Sequence, residues 1–412
     1  MKRLVVLGAG TAGTMVVNKL RRALPEDEWA ITVVDHDQVH RYQPGYLFLP
    51  FGGYQPSQIT KPMTELLTPG IEKITAEIER VDIESDEVVL GDGKRLRYDQ
   101  LVIATGTHPR PDQTPGMDGA EWRNSVFDFY TLDGAEALGE KLRAWDGGRL
   151  VVHITEMPIK CPVAPLEFTF LADSYFKDRA MRDRVEIVYV TPLDGAFTKP
   201  VASKMLGGML EDRKIQVETD FYIQEVDNER RCIVSYDERE IPFDLLVTVP
   251  LNMGADYVAR SGIGNELNYV PVDPGTFLSK ASDNVFAIGD AADLPTSKAG
   301  SVAHFAVEVF VENFLHHIRG EQMPQRFDGH ANCFVESGDG KALLIDFNYD
   351  VQPLPGKYPL PVVGPFSLLQ ETEVNHFGKL AFKWIYWHAL LPGRELPLPA
   401  LMSMLGKEEV EA

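Results

Sequence analysis

Three glycines, Gly8, Gly10 and Gly13, stand in the run LVVLGAGTAG, and Asp35 closes the run AITVVD further along. That spacing suits a dinucleotide. The first glycine permits a tight turn, the second lets a pyrophosphate approach the backbone, and the third lets a helix pack closely on a strand. An acid about twenty residues on accepts hydrogen bonds from an adenosine ribose. Two further strand ends carry residues of this kind. LVIATG closes on Thr105 and Gly106, which bring the backbone near something flat or charged. NVFAIGDAAD sets Gly289 and Asp290 where an acid accepts from a ribityl hydroxyl; a plain strand terminus is the alternative.

Cys161, Cys232 and Cys333 are too few and too scattered for a secreted disulfide framework, and no pair has zinc-ligand spacing. Redox chemistry is the work open to them, against the alternative of small buried hydrophobes. Cys161, among Pro158, Pro162 and Pro165, is neither helix nor strand filler, whereas Cys232 in RCIVSY reads as strand filler. No metal site is expected, since His316 and His317 are adjacent and would point apart on a helix.

These residues need a scaffold, and the pattern supplies one. Leu4 to Leu7 reads as a fully buried parallel strand and Thr14 to Arg22 as the helix after it. The stretch VHRYQPGYLFLPFGGY is a loop-rich segment beside the cofactor, with Pro44 and Gly45 at the turn; a surface loop is the alternative. Residues 71 to 98 alternate as strands with a hairpin at Gly91-Asp92-Gly93, and Arg110 to Asn124 is a linker. A second unit then repeats the theme: helix Leu132 to Ala144, strand RLVVHIT, helix Glu167 to Tyr175, strand RVEIVYVT, helix Val201 to Glu211, a strand pair and the buried DLLVTVP. Its first turn reads TEMPIKCPVAP, whose prolines and bulky side chains keep a pyrophosphate off the backbone, so the usual nicotinamide site is not expected to function. NVFAIGDAAD stands at the head of a helix-like run, and an amphipathic helix follows in SKAGSVAHFAVEVFVENFLHHI.

The expected fold class is α/β, with two Rossmann-like dinucleotide-binding domains and a C-terminal membrane-associating region. The first domain comprises residues 1–112 and 252–330, the second 113–251, and the C-terminal region 331–412. A chain of 412 residues exceeds one ordinary core. Apolar residues at 44% and charged residues at 25% exclude disorder as the main theme. The net charge of −21 argues against nucleic-acid binding, which needs clustered Lys and Arg. No run of about eighteen apolar residues exists to span a membrane, and the chain is expected in the cytoplasm.

With the Gly8 to Gly13, Thr105-Gly106 and Gly289-Asp290 motifs in order, residues 1 to 330 resemble the two-dinucleotide-fold flavoproteins of the disulfide reductase superfamily. Cys161 in KCPVAPLE, Cys333 in NCFVESGDG and the tail FGKLAFKWIYWHALLPGR narrow this, so that the whole chain resembles the sulfide:quinone oxidoreductases. The resemblance implies FAD in the first fold, with Cys161 and Cys333 as a redox pair on one side of the flavin and a quinone pocket on the other. It makes Glu167 a proton carrier beside the cysteines and sets Lys298 and Lys379 by the flavin and the quinone. The substrates implied are sulfide and a quinone. Lys160 is one sequence-visible cation for a Cys161 thiolate. The chain departs from the family pattern in lacking a third cysteine in SVFDFYTLD, where Phe127 is nearest, and a histidine in TPLDGAFTK. Residues 42 to 46 contain no cysteine for covalent attachment, which implies noncovalent FAD. Two rivals remain: a type II NADH:quinone oxidoreductase, and a sulfur-relay flavoprotein that need not reduce quinone.

Residues 365 to 405 combine Phe377, Leu380, Phe382, Trp384, Ile385, Tyr386, Trp387, Leu390 and Leu391 with Lys379, Lys383 and Arg394. In an acidic chain this is the composition of a surface-lying amphipathic anchor, placing the protein peripherally on the cytoplasmic side of the cell membrane. A buried C-terminal helix, or a contact between copies in a homo-oligomer, is the alternative.

Overall fold

The structure is a computed structural model and describes residues 1–408. Lys2–Leu7 is the middle strand of a parallel five-stranded sheet ordered Val285–Ala287, Gln100–Ile103, Lys2–Leu7, Trp29–Asp35, Ile71–Thr75. Its apolar run is continuous because both faces are covered. Leu4 and Val6 enter one core with Met15, Val16 and Leu20 of helix Thr11–Ala23, while Val5 and Leu7 enter another with Tyr98 and Tyr257. The strand order reverses direction at Lys2–Leu7, which opens a crevice at the carboxyl ends of the strands.

A second parallel sheet repeats this plan in the order Val126–Phe127, Leu245–Val249, Gly148–Ile154, Val185–Val190, Gln216–Glu218. Each unit carries a three-stranded antiparallel meander, Ile78–Asp82 to Arg95–Arg97 in the first and Ile223–Asp227 to Glu240–Pro242 in the second. His108–Arg110 pairs with Leu251–Met253 where the chain passes between units.

Three local expectations change. Ile71–Thr75 belongs to the parallel sheet rather than to the meander, because alternation alone does not distinguish a sheet edge from a hairpin strand. The helix expected over Glu167 to Tyr175 runs Ala164–Asp178, since Pro165 is tolerated in a first helical turn. Gly289 and Asp290 lie in a short 3-10 turn, Gly289–Ala291, and not at the head of the long helix. Pro295 biases its predecessor toward extended backbone, and helix Gly300–His317 starts only afterwards.

The C-terminal region adds a sheet ordered Ala331–Gly338, Lys341–Phe347, Gly364–Leu368, Gly356–Leu360. Helix Glu373–Ile385 packs on it, its start capped by the Thr372 hydroxyl, which accepts the Asn375 N–H at 3.0 Å. It runs on into a wide π turn, Tyr386–Leu390. The expected anchor divides here. Phe377, Leu380 and Trp384 are exposed, but Tyr386, Trp387, Leu390 and Leu391 are buried in the main core, because the wide turn carries their side chains inward. Among the described residues no helix is long and apolar enough to cross a membrane.

The glycine turn gives a sharp prediction. A Cβ on Gly13 would stand 1.8 Å from the Gly8 carbonyl oxygen, whereas one on Gly10 meets nothing within 4 Å. Gly13→Ala should destabilise the fold by about 1–3 kcal/mol in thermal or denaturant unfolding. Gly10→Ala should unfold like wild type yet bind dinucleotide more weakly, as read by cofactor retention on gel filtration.

Candidate active site

The crevice at the switch point is a cavity of about 780 Å³. Gly8, Gly10 and Asp35 line one part, and Thr105, Gly106, Gly289 and Asp290 line the floor where strands end. Gly8 has a φ of +94°, and a Cβ there would strike the Ala104 carbonyl at 2.5 Å. Gly106, at φ +67°, faces open space. Gly13 is not in the lining; it lets helix and strand close together. Asp35 accepts the Ala9 N–H at 2.6 Å and the Asp37 N–H at 2.8 Å, which aims its carboxylate across the turn. Helix Thr11–Ala23 has no side-chain cap and no acid in its first turn, so its leading N–H groups are free for an anion.

Lys298 also lines the cavity and is almost fully buried. Its ammonium donates to the carbonyls of Asp290 and Ala292 at 2.9 and 3.1 Å and lies 3.9 Å from the Tyr269 ring centroid. Burial lowers Lys298 to about 8, against the pull of Asp290; burial correspondingly raises the Asp290 carboxyl.

The second unit contributes Cys161 in the turn after strand Gly148–Ile154. Its φ of +48° is left-handed for a residue with a side chain, at a cost of about 1–3 kcal/mol. Three hydrogen bonds hold it there: the Cys161 N–H donates to the Lys298 carbonyl at 2.6 Å, and the Cys161 carbonyl accepts from Ala164 N–H at 2.9 Å and Tyr130 hydroxyl at 3.1 Å. Where a second dinucleotide would need free N–H groups, helix Ala164–Asp178 offers Pro165 and the buried Glu167.

Cys333 comes from the edge strand Ala331–Gly338. It is buried and not in the cavity lining. All three cysteines are free thiols. Cys161 and Cys333 nonetheless share surroundings. Burial raises both, Cys333 to about 11; Glu167 raises both further, and Lys379 lowers both. The Cys333 charge also raises Cys161. Lys379 Nζ forms an ion pair with Glu167 Oε1 and donates to the Phe334 carbonyl at 3.1 Å. Burial pulls Lys379 down, but Glu167, Cys161 and Glu336 hold its ammonium above the ordinary lysine value. Among the described residues, Glu167 Oε2 is buried with no hydrogen-bond partner.

The local cation is therefore not Lys160, whose ammonium donates to the Gln43 side-chain oxygen at 3.0 Å. Lys379, 218 residues beyond Cys161 in the chain (379 − 161), takes its place. Sequence reasoning also missed Glu336, His376 and Tyr386. Tyr386 hydroxyl lies 2.7 Å from Thr11 Oγ1 and 2.6 Å from His40 Nε2, tying the C-terminal turn to the glycine loop. The one local signal was spacing: His376 and Lys379 stand one helical turn apart. Cys232 lies in the meander of the second unit, away from this site.

A family model described as pyridine nucleotide-disulphide oxidoreductase matches residues 2–153. The chain is similar over nearly its full length to mitochondrial sulfide:quinone oxidoreductases. That of Dictyostelium discoideum is 24% identical, covering 99% of this chain and 90% of the relative; that of Mus musculus is 22% identical, covering 94% and 86%. The crystal structure of the sulfide:quinone oxidoreductase from Aquifex aeolicus superposes with a TM-score of 0.79 at 20% identity, covering 96% of this chain and 92% of that one.

The shared electrostatics can be tested directly. Because Glu167 raises both thiols, Glu167→Gln should lower their pKa and speed alkylation of Cys161 by iodoacetamide at neutral pH, about tenfold for each pKa unit, as read by peptide mass spectrometry. An unchanged rate would remove Glu167 from the thiols' surroundings.

Proposed function

We propose that this chain, a relative of the sulfide:quinone oxidoreductases, is a flavoenzyme that oxidises sulfide to persulfide or polysulfide sulfur and reduces a quinone. The observation that carries the reading is two cysteines from different units meeting one buried Lys379–Glu167 pair beside a dinucleotide crevice. The crevice fits FAD: Gly10 and Gly106 leave the space a Cβ would fill, an uncapped helix start faces the phosphate position, and Asp35 faces the ribose position. Gly289, Asp290 and Lys298 line the flavin end, and the absence of cysteine from 42 to 46 favours noncovalent binding. When bound, FAD supplies a two-electron acceptor for the sulfur and a donor for the quinone.

The chain's own residues would work on sulfur. Hydrosulfide attacking a Cys161–Cys333 disulfide leaves a persulfide on one cysteine and a thiolate on the other. Lys379 stabilises that thiolate, and the unpartnered Glu167 oxygen takes the proton shed by the sulfur. With no third cysteine near Phe127, the sulfur would leave to an external acceptor.

Quinone is lipid-soluble, and the C-terminal region offers a face for it. Leu360, Val362 and Val363 at a hairpin tip, and Phe377, Leu380 and Trp384 on the helix, are exposed. Exposed apolar side chains concentrated in one region of an acidic protein support peripheral docking on a bilayer, which we assign to the cytoplasmic side of the cell membrane.

Two experiments follow. Mixing the flavin-loaded enzyme anaerobically with sulfide should bleach the flavin, and decylubiquinone should restore its colour. Cys161→Ser and Cys333→Ser should abolish the bleaching, and Cys232→Ser should leave it near wild type; a fully active Cys333→Ser enzyme would contradict the pairing. In liposome sedimentation, wild type should pellet with vesicles, and Phe377→Ser/Trp384→Ser should remain largely in the supernatant while keeping sulfide-dependent bleaching. Equal pelleting of both proteins would remove this face from membrane binding.

A further inference from the structure

The proposed chemistry creates a proton problem at a buried place. As hydrosulfide enters the disulfide, the bond between the cysteines breaks and a bond from one of them to the substrate sulfur forms. The electron pair leaves on the other thiolate, and the S–H proton is released. Over the whole reaction HS⁻ + quinone + H⁺ gives S⁰ + quinol, so the sulfur side sheds one proton while the quinone takes two. Glu167 is fully buried and cannot deliver a proton to water by itself.

A chain of ionisable groups leads outward from it. The Glu336 N–H, on the edge strand that carries Cys333, donates to Glu167 Oε1 at 2.8 Å. Side chains alternate along a strand, so Cys333 and Glu336 point to opposite faces, and Glu167 sits at the edge between them. The Glu336 carboxylate is itself buried, and both its oxygens lie against His376 Nδ1, at 2.9 and 3.0 Å. His376 is about one-fifth exposed, with a side-chain accessibility of 22%. On helix Glu373–Ile385, His376 and Lys379 are neighbours on one face, so one turn of helix addresses Glu336 and the other Glu167.

We propose that Glu336 and His376 are the proton outlet of the sulfur site, carrying the proton from Glu167 to solvent; this rests on the sulfide-oxidising reading above. The charges fit. Glu167 and Glu336 supply two negative charges against the one positive charge of Lys379, so one further proton neutralises the cluster. Burial raises the Glu336 carboxyl, with Lys379 and His376 opposing and Glu167 reinforcing, which makes it a group able to hold that proton. The other titratable neighbour is Tyr54, whose phenol is raised by burial first and by Glu336, and lowered by Lys379; it is not an acid at neutral pH. No other function accounts for a buried carboxylate whose backbone is tied to Glu167 and whose side chain is tied to a partly exposed histidine.

The test uses the flavin-loaded protein in stopped flow, mixed anaerobically with sulfide in weak buffer containing a pH-indicator dye. Flavin bleaching and proton release are recorded together. In wild type the proton should appear with the bleaching. His376→Ala should slow both by about a hundredfold, the lower end of general acid–base effects. Added imidazole should restore them in proportion to its free-base concentration, which a merely structural role would not allow. Glu336→Gln keeps the backbone link to Glu167 and should show the same slowing without imidazole rescue. Wild-type rates in His376→Ala, or a loss that imidazole does not mend, would overturn the outlet while leaving the sulfide reading intact. A wild-type enzyme that fails to bleach with sulfide would overturn both.

Discussion

A lysine and a glutamate joined in a dry place hold this molecule's chemistry together. Lys379 comes from the C-terminal helix and Glu167 from the first helix of the second unit, and their side chains are 13% and 1% exposed. Such a pair adds little net stability, but losing one partner leaves an uncompensated buried charge costing about 3–5 kcal/mol. The pair therefore fixes where the C-terminal region sits on the second unit. It also sets the potential felt by both thiols, since the lysine favours a thiolate and the glutamate opposes it. A sulfur centre that must be neutral at rest and anionic in mid-reaction needs both signs within reach.

The rest of the structure serves to bring that pair to a cofactor crevice. The first unit keeps the open glycine turn, with no Cβ at Gly10 and a free helix start. The second unit repeats the same strand order but fills the equivalent turn with prolines and Cys161. The Lys298 carbonyl, beside the cavity floor, accepts the Cys161 N–H and thereby sews the second unit's turn to the first unit's crevice. At the other end, Tyr386 hydrogen-bonds to Thr11 and His40, so the C-terminal turn is seated on the glycine loop as well. One duplicated plan thus yields two dissimilar sites because a few residues at one turn differ.

Much of this was legible locally. The glycine spacing, Asp35 and the repeated strand–helix order rest on short-range sterics and periodicity, which a sequence displays directly. Contacts made at long range were less so. Lys160 adjoins Cys161 in the chain but turns to Gln43, and the effective cation is Lys379. Ile71–Thr75 alternates like a hairpin strand yet pairs with Trp29–Asp35, since edge pairing is decided by tertiary packing. Composition marked the tail's aromatics as an anchor but could not reveal the π turn that buries Tyr386 and Trp387 while Phe377 and Trp384 stay outside. Glu336 and His376 carried no motif; only the strand edge makes their connection to Glu167 visible.

The central claim is that Cys161 and Cys333 act as one redox centre although 172 residues separate them (333 − 161). Its most direct measurement is disulfide mapping of the oxidised protein by proteolysis and mass spectrometry, before and after anaerobic sulfide. A single cross-linked peptide joining Cys161 to Cys333, converted by sulfide to persulfidated and free peptides, is the predicted result. Two free thiols in the oxidised protein, or a bridge that involves Cys232, would contradict it.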